Sequence, residues 1–424
     1  MVVTMLKSNI AGEIEAIPSK SHLHRLLICA SLAQTPTEII CKHANAHDID
    51  ATVACCEAIG ANVVKKENGY FIEPIDYSNL PKEAVLPCKE SGSTFRFMLP
   101  IVCALGITGT FEMEGRLPER PIKPLDRELE KFGIRLSKPC QNTIKCEGKL
   151  QPGAYTLPGN VSSQYISGLL MALPLLKQAS TLEITETAES KDYIEITLDV
   201  LREFGASPKI KDNIYYIEGN TCLLTANRIQ TDGDWSNSGF WLCCAAMPEC
   251  KVILKGINKD SKQGDRRIAE IISKIGADVL WENTTVKVSE NQRNALVIDA
   301  REIPDLIPCL SAVLAVANGT SFIKNAARLR IKESDRLATT ASVLNALGAN
   351  ITELEDGLLI EGVTRLKGGR VDAHIDHRIA MTAAVASLAC DEKVVLTGAN
   401  AVSKSYPKLW EDFKALGKNL IVEK

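Results

Sequence analysis

The chain has no apolar run approaching the ~20 residues that a membrane-spanning helix needs, so no membrane partner is expected. It also lacks an excess of charge of either sign. Its 49 Lys and Arg stand against 52 Asp and Glu, a net charge of −3. Bulk attraction to a nucleic acid or an anionic surface is therefore not expected, and any anion site must be a local cluster of cations. No C-x-x-C is present. Met1–Ile10 holds one Lys and no long apolar core, so no secretory signal is expected and a cytoplasmic protein is. Cysteine itself is not scarce. The 14 include the pairs Cys55-Cys56 and Cys243-Cys244, mostly in apolar, helix-like surroundings, which suits reduced core thiols. Cys41, His43 and His47 have no second ligand pair at zinc spacing, so no metal site is expected.

At 424 residues the chain exceeds one ordinary core, and two domains are expected. A helical run ending in Leu/Ile/Phe-Gly recurs, with glycines at 60, 133, 205, 276, 348 and 417 and gaps of 73, 72, 71, 72 and 69. Glycine after a helix takes the left-handed cap at no steric cost. A second short strand follows most of them, as in Tyr215–Gly219, Leu358–Gly362 and, more loosely, Thr143–Gly148. Six duplicated α/β repeats result, three per domain. Tyr165–Leu176, Phe240–Ala246, Pro308–Ala317 and Ile379–Ala389 are apolar all round. Such helices are buried ones, which predicts helices inside and sheets outside.

The densest charge lies in Arg328-Leu-Arg-Ile-Lys-Glu-Ser-Asp-Arg336, where six of nine residues are charged. Ser334-Asp335 reads as the start of a helix over 337–347. This is either a solvated charged turn or a site for an anion that needs a proton moved. Pro18-Ser-Lys-Ser-His-Leu-His-Arg25 follows a strand over Gly12–Ile17 and opens a helix over Leu23–Ala33, with Ser19 or Ser21 as cap. Cys88–Arg96 precedes a helix over Phe95–Leu105, and its Gly92 lets a ligand approach the backbone. Glu114–Pro121 carries Arg116 and Arg120 on a proline-stiffened loop, and arginine suits a bidentate grip on carboxylate or phosphate. Gly159–Tyr165 gives an apolar helix a polar mouth of Ser162, Ser163 and Gln164, or simply caps it. Asp305 opens another apolar helix, as a cap or as a carboxyl whose pKa burial raises toward base chemistry. Ser261–Asp265, Asp376-His-Arg378 and Ser403–Pro407 complete the set.

Together these pieces resemble the 5-enolpyruvylshikimate-3-phosphate (EPSP) synthase family of enolpyruvyl transferases, from Gly12 to the last helix. The resemblance rests on Ser19–Ser21 (SKS), Gly159–Gln164 (GNVSSQ), Ser261–Asp265 (SKQGD), Arg328–Arg336 (RLRIKESDR) and Asp376–Arg378 (DHR), in family order and at family spacing. It implies a two-lobed inside-out α/β barrel of six βαβαββ-type repeats, three per lobe. One lobe is expected over 17–231, mainly for shikimate 3-phosphate. The other is expected over 1–16 plus 232–424, mainly for phosphoenolpyruvate, with the ligands held in the cleft between lobes. The implied reaction moves the enolpyruvyl group of phosphoenolpyruvate to the 5-hydroxyl of shikimate 3-phosphate by addition and elimination. No cofactor and no metal are required, and a monomer is expected.

By motif, the resemblance assigns Lys20, Ser21, Arg25, Ser162, Ser163, Gln164, Ser190, Tyr193, Asp305, Arg328 and Lys332 to shikimate 3-phosphate. It assigns Lys20, Gly92, Arg116, Gln164, Arg336, Arg378 and Lys404 to phosphoenolpyruvate. Asp305, Glu333 and Lys20 are the catalytic candidates, with proton handling shared between Asp305 and Glu333. The chain departs from the family at Glu90-Ser-Gly-Ser93 (commonly Asn-Ala-Gly-Thr), at His24 (Asn) and at Arg328 (often Asn). These positions bear on phosphate contacts and on sensitivity to glyphosate, for which Gly92 leaves room. Two alternatives are a sister transferase acting on UDP-N-acetylglucosamine and a non-catalytic relative. The first should carry Lys-Asn at Lys20-Ser21 and a cysteine in the Glu114–Pro121 loop, and neither is present. The second should have lost some of Lys20, Asp305, Glu333 and Arg378, and all four remain.

Overall fold

The computed structural model describes residues 1–41, 46–186 and 191–423; His43 and Ser190, both singled out above, lie outside the described residues. The chain divides into two compact units. The first is Pro18–Thr231, and the second is Met1–Ile17 with Asp232–Lys424. Among the described residues no helix is long and apolar enough to cross a membrane.

Each unit contains three four-stranded sheets built to one plan. The repeat over 83–148 shows it most simply. Strand Glu83–Lys89, helix Gly92–Leu105 and strand Thr108–Met113 form a parallel crossover; helix Leu125–Lys131 then leads to strands Ile134–Ser137 and Thr143–Gly148. The two crossover strands pair in parallel with Leu86 opposite Phe111, and the last strand inserts antiparallel between the second and third, with Phe111 opposite Ile144 and Leu136 opposite Cys146. Parallel strands need a helical connection and antiparallel ones a short turn, and the repeat uses both. In Glu83–Lys89, Ala84, Leu86 and Cys88 are buried while Glu83, Val85 and Lys89 are exposed. That period-2 alternation leaves one sheet face to solvent. By contrast, every residue of helix Gly92–Leu105 except Ser93 is buried. The helix, not the sheet, is thus buried all round.

All six repeat glycines adopt positive φ, from +80° at Gly205 to +119° at Gly276. A side chain there is strained, which is why glycine marks the count. Twelve of the cysteines are buried and unpaired, and Cys140 and Cys222 are exposed.

The chain passes between units twice, and strand exchange accompanies each passage. Strand Ala11–Glu15 pairs in parallel with Lys251–Lys255 and supplies the first strand of the fourth repeat. Val2–Met5 fills the remaining place in the sixth, between Val394–Thr397 and Leu420–Glu423. Arg228–Gln230 pairs in parallel with Thr37–Ile40 and opens the first repeat. Ile17, expected in the first lobe, belongs to the second unit, because its carbonyl accepts a hydrogen bond from the Asp234 amide (2.8 Å) while Ala16 bonds Lys255.

Candidate active site

In the first unit, Ser19 caps helix Lys20–Ser31, its Oγ accepting from the His22 amide at 3.3 Å. Lys20 therefore stands in the first helical turn, and its Nζ pairs with Asp48 Oδ2 at 2.7 Å. One turn on, Arg25 is only 2% exposed. Nε donates to Thr197 Oγ1 (2.6 Å), Nη1 to the Ser21 carbonyl (2.6 Å), and Nη2 to Ser167 Oγ (3.2 Å) and the Tyr193 carbonyl (3.0 Å). Four of five guanidinium donors are thus taken, all by neutral oxygens. Burial lowers its pKa to about 10, so it stays charged at neutral pH. Its carbon lies 4.8 Å from the Phe97 ring centroid.

Beside it, helix Ser163–Ala172 begins at the cap Ser162, whose Oγ accepts from the Gln164 amide at 3.3 Å. This helix approaches helix Gly92–Leu105 closely. A Cβ on Gly168 would lie 2.4 Å from the Arg96 carbonyl, so only glycine fits. The approach lets Arg96 Nη1 donate to Gln164 Oε1 (2.6 Å) while Gln164 Nε2 donates to Ser93 Oγ (2.8 Å). Helix Gly92–Leu105 starts three residues before the sequence expectation, because Ser91 caps it through the Thr94 amide. Gly92 is thereby in the first turn, and the residue against it is Arg120: a Cβ at Gly92 would lie 2.7 Å from Arg120 Nη1. The motif assignment named Arg116 instead. Arg116 is half exposed and faces Glu119 (3.6 Å) on its own short helical turn. Arg120 was visible on the same loop; its contact with Gly92 is a tertiary one that spacing does not reveal.

In the second unit the charges converge on Arg336, 1% exposed. Asp335 caps helix Arg336–Ala346, its Oδ1 accepting from the Ala338 amide, so the expected helix start over Ser334–Asp335 is found. From that first turn Arg336 Nε donates to Asp376 Oδ2 (2.8 Å), Nη1 to Asp305 Oδ1 (2.8 Å), and Nη2 to Glu333 Oε2 (2.7 Å) and Asp376 Oδ1 (3.2 Å). Lys332 Nζ lies 3.6 Å from Asp305 and Lys404 Nζ 3.7 Å from Glu333. Arg378, in the first turn of helix His377–Ala386, donates from Nη1 to the Ser236 carbonyl (2.7 Å). Asp376 caps that helix through the Arg378 amide (2.9 Å) and also accepts from Ser334 Oγ (2.9 Å). It holds the guanidinium of Arg336 and the backbone amide of Arg378, a role that the DHR motif signalled and the site assignment omitted. Arg328 lies half-buried in the turn Ala327–Ile331.

Two expectations for Asp305 are corrected. It caps nothing: helix Ile307–Leu314 begins two residues later with no side-chain cap. Its pKa is not raised either. Burial alone pushes it up, but Lys332, Arg336 and Arg378 outweigh that and hold the carboxyl well below the usual range. The carboxyl driven upward is its neighbour Asp265, to about 7, by burial and then by the Asp305 charge. Asp265 accepts a hydrogen bond from Ser236 Oγ, on the residue whose carbonyl holds Arg378. The rest of SKQGD pins the same turn: Gln263 Oε1 accepts from the Trp235 amide (3.1 Å) and Nε2 donates to the Gly233 carbonyl (2.8 Å).

The architecture and its charged helix entrances define an α/β protein equipped for small, multiply charged anions. A sequence profile of EPSP synthase (3-phosphoshikimate 1-carboxyvinyltransferase) matches residues 5–413. The chain is 40% identical over 411 residues to the 3-phosphoshikimate 1-carboxyvinyltransferase of Clostridium acetobutylicum, covering 96% of this chain and 95% of that one. It is 40% identical over 428 residues to that of Clostridioides difficile, covering 97% and 96%. In fold it is similar to the EPSP synthase of Acinetobacter baumannii (TM-score 0.83, 24% identity, all of both chains). The enolpyruvyl transferase NikO of Streptomyces tendae is also similar (TM-score 0.80, 17% identity, 99% and 98% covered). The chain belongs to the EPSP synthase family.

Proposed function

We propose that this chain carries out enolpyruvyl transfer from phosphoenolpyruvate to the 5-hydroxyl of shikimate 3-phosphate, as a cytoplasmic monomer whose units are inside-out α/β barrels. The observation that carries the reading is the Arg336 guanidinium bonded at once to Asp305 and Glu333. One cation sets two carboxylates at fixed positions, and the reaction has two protons to move. The acceptor hydroxyl loses one as its oxygen bonds to C2 of phosphoenolpyruvate, and the C3 methylene gains one. The tetrahedral adduct then loses phosphate and one methyl proton, restoring the double bond.

By motif, Lys20, Ser21, Arg25, Ser162, Ser163, Gln164, Ser190 and Tyr193 of the first unit are assigned to the acceptor, as are Arg328, Lys332 and Asp305 of the second. Lys20, Gly92, Arg120 and Gln164 of the first unit, and Arg336, Arg378 and Lys404 of the second, are assigned to the donor, with Arg120 in place of Arg116. Arg25 supports an anionic acceptor for a physical reason. A buried cation whose partners among the described residues are all neutral lacks a counter-charge there, and a phosphate of roughly −1.5 to −2 supplies it. Asp305 becomes a useful base when substrate anions compete for Lys332, Arg336 and Arg378, because the cations that hold its pKa down then share their field.

Phosphate release from phosphoenolpyruvate tests the reading, with shikimate 3-phosphate and UDP-N-acetylglucosamine offered separately. Release with shikimate 3-phosphate alone is expected. Release with the sugar nucleotide alone, or with neither in folded protein, overturns it.

A further inference from the structure

His24 stands between Lys20-Ser21 and Arg25, and neither set of site residues uses it. It is 1% exposed, edge-on to Phe97 (ring centroids 6.4 Å apart, planes at 80°). Its Nδ1 lies 2.6 Å from Thr52 Oγ1, which lies 2.7 Å from Thr94 Oγ1, which lies 2.7 Å from Ser91 Oγ. All three hydroxyls are buried. The chain of hydroxyls ends at the cap of helix Gly92–Leu105. Thr52 and Thr94 also approach the backbone carbonyl of Asp48 (3.3 and 3.4 Å), whose carboxylate holds Lys20. At the other end His24 Nε2 is buried with no hydrogen-bond partner among the described residues.

The ring is neutral at physiological pH. Burial lowers its pKa to about 3; Asp48 opposes this, and Lys20 and Arg25 add to it. A neutral imidazole has one N–H, and each hydroxyl has one proton. The His24–Thr52 bond can therefore run in only two directions, while the Thr52 and Thr94 hydroxyls each have the Asp48 carbonyl as a second acceptor. With the proton on Nδ1, His24 donates to Thr52, Thr52 to Thr94 and Thr94 to Ser91, and a lone pair remains at Nε2. With the proton on Nε2, Thr52 must donate to Nδ1 and has no proton left for Thr94, and an N–H is left buried without an acceptor among the described residues. Orphaned buried donors are the rarer and costlier outcome. The first direction also brings both the hydroxyl and the amide of Thr94 onto Ser91 Oγ, seating the cap from two sides.

We propose that His24 is a positioning residue for the donor side of the reaction. As its Nδ1–H tautomer it turns the Thr52 hydroxyl away from the ring, toward Thr94 and the Asp48 carbonyl, and so helps seat the Ser91-capped helix turn that carries Gly92, with Arg120 against it. The link to the donor rests on the reading that Gly92 and Arg120 hold phosphoenolpyruvate. Asparagine at this position places an amide nitrogen where Nδ1 now lies, so the conservative replacement keeps the donor while an apolar one removes it.

Long-range 1H–15N spectra of histidine-labelled protein, with His24→Asn to assign the signal, read the tautomer directly. The Nδ1–H pattern is expected, unchanged between pH 5.5 and 8. An Nε2–H pattern overturns the proposal. Amide exchange over Ser91–Phe95 reads the seating without any substrate. It should accelerate in His24→Leu and Thr52→Val and stay near the unsubstituted rate in His24→Asn. Steady-state kinetics should show KM for phosphoenolpyruvate raised ~10-fold in His24→Leu and Thr52→Val, with calorimetric binding of shikimate 3-phosphate within about twofold. Unchanged exchange and KM in both variants, or damage from Asn equal to that from Leu, sinks the idea. If the unsubstituted protein releases no phosphate from phosphoenolpyruvate, the functional reading fails. The tautomer and exchange results then still decide whether His24 seats the helix.

Discussion

Arg25 in the first unit and Arg336 in the second are equally buried, at 2% and 1% exposure, and each spends four of its five donors on protein. Their partners are opposite in kind. Arg25 is held by two hydroxyls and two carbonyls. Arg336 is held by the carboxylates of Asp305, Glu333 and Asp376. Neutral dipoles orient a guanidinium without cancelling its charge, so none of Arg25's partners among the described residues compensates its field. Three carboxylates cancel the charge of Arg336 and are themselves set in place by it. The first arrangement suits binding and the second suits chemistry on groups already bound. A count of conserved-looking cations would not separate them; the identity of their partners does.

The sharpest way to break this comparison is to remove each guanidinium. Arg336→Met strands three carboxylates, that of Asp376 fully buried, and breaking a buried ion network from one side costs about 3–5 kcal/mol. Urea unfolding should show that loss, and activity should vanish with it. Arg25→Met removes an uncompensated cation. Its unfolding midpoint should move far less, while calorimetry should show shikimate 3-phosphate bound ~10–100-fold more weakly, the worth of one or two charge-assisted bonds. Equal destabilisation by both variants would show that Arg25 has a carboxylate's support after all. Next in size are Asp305→Ala and Glu333→Ala. Each should lower kcat by ~100-fold or more, as general acid–base groups do, with acceptor binding kept. A loss under threefold would make that carboxylate merely the holder of Arg336.

The six-fold plan was legible in the sequence because a left-handed helix cap tolerates little but glycine, so the backbone writes itself into residue identity at 60, 133, 205, 276, 348 and 417. The buried helices were legible in the same way, as predominantly apolar runs such as Ile379–Ala389. Motifs placed Lys20, Gln164 and Arg336 at helix entrances, and those entrances are where the structure has them. What stayed hidden depends on contacts between distant segments. Arg116 and Arg120 are chemically identical on one loop, and only the packing of Gly92 distinguishes them. Asp305 looked like a buried acid because its neighbours in sequence are apolar; its neighbours in space, from 27 to 73 residues away, are cations. The hydroxyl chain from His24 joins three segments, none of which looks unusual alone.

Asp265 tests the second unit from behind its charged surface. Its pKa of about 7 in the folded chain lies above the ordinary 3.8. Between those values the folded protein keeps a proton that the unfolded chain has lost, so this group's stabilising contribution is full below pH 4 and falls as pH rises to about 7. The depressed pKa of Asp305 acts in the opposite sense and in a separate window, below about pH 4. Thermal unfolding between pH 5 and 8 should therefore show the unsubstituted protein losing stability relative to Asp265→Asn, whose amide still accepts from Ser236. Parallel curves would show that Asp265 is ionised throughout, with the neighbouring arginines compensating it.

The smallest effect separates the two arginines of the proline-stiffened loop. Arg116 is half exposed and faces a Glu119 that is more exposed still, and such surface pairs contribute about 0–1 kcal/mol. Arg116→Ala should leave stability and the KM for phosphoenolpyruvate within about twofold. Arg120→Ala should raise that KM ~10-fold or more, because its guanidinium lies against the backbone of Gly92, where the donor is proposed to sit. Gly92→Ala links the two predictions without touching either charge. Its new methyl carbon would lie 2.7 Å from Arg120 Nη1, so the guanidinium must move, and KM should follow Arg120→Ala rather than the unsubstituted protein. If instead Arg116→Ala weakens phosphoenolpyruvate binding and the other two do not, the loop must rearrange on binding to bring Arg116 in. The family motif would then have named the right arginine for a state of the chain other than the one described.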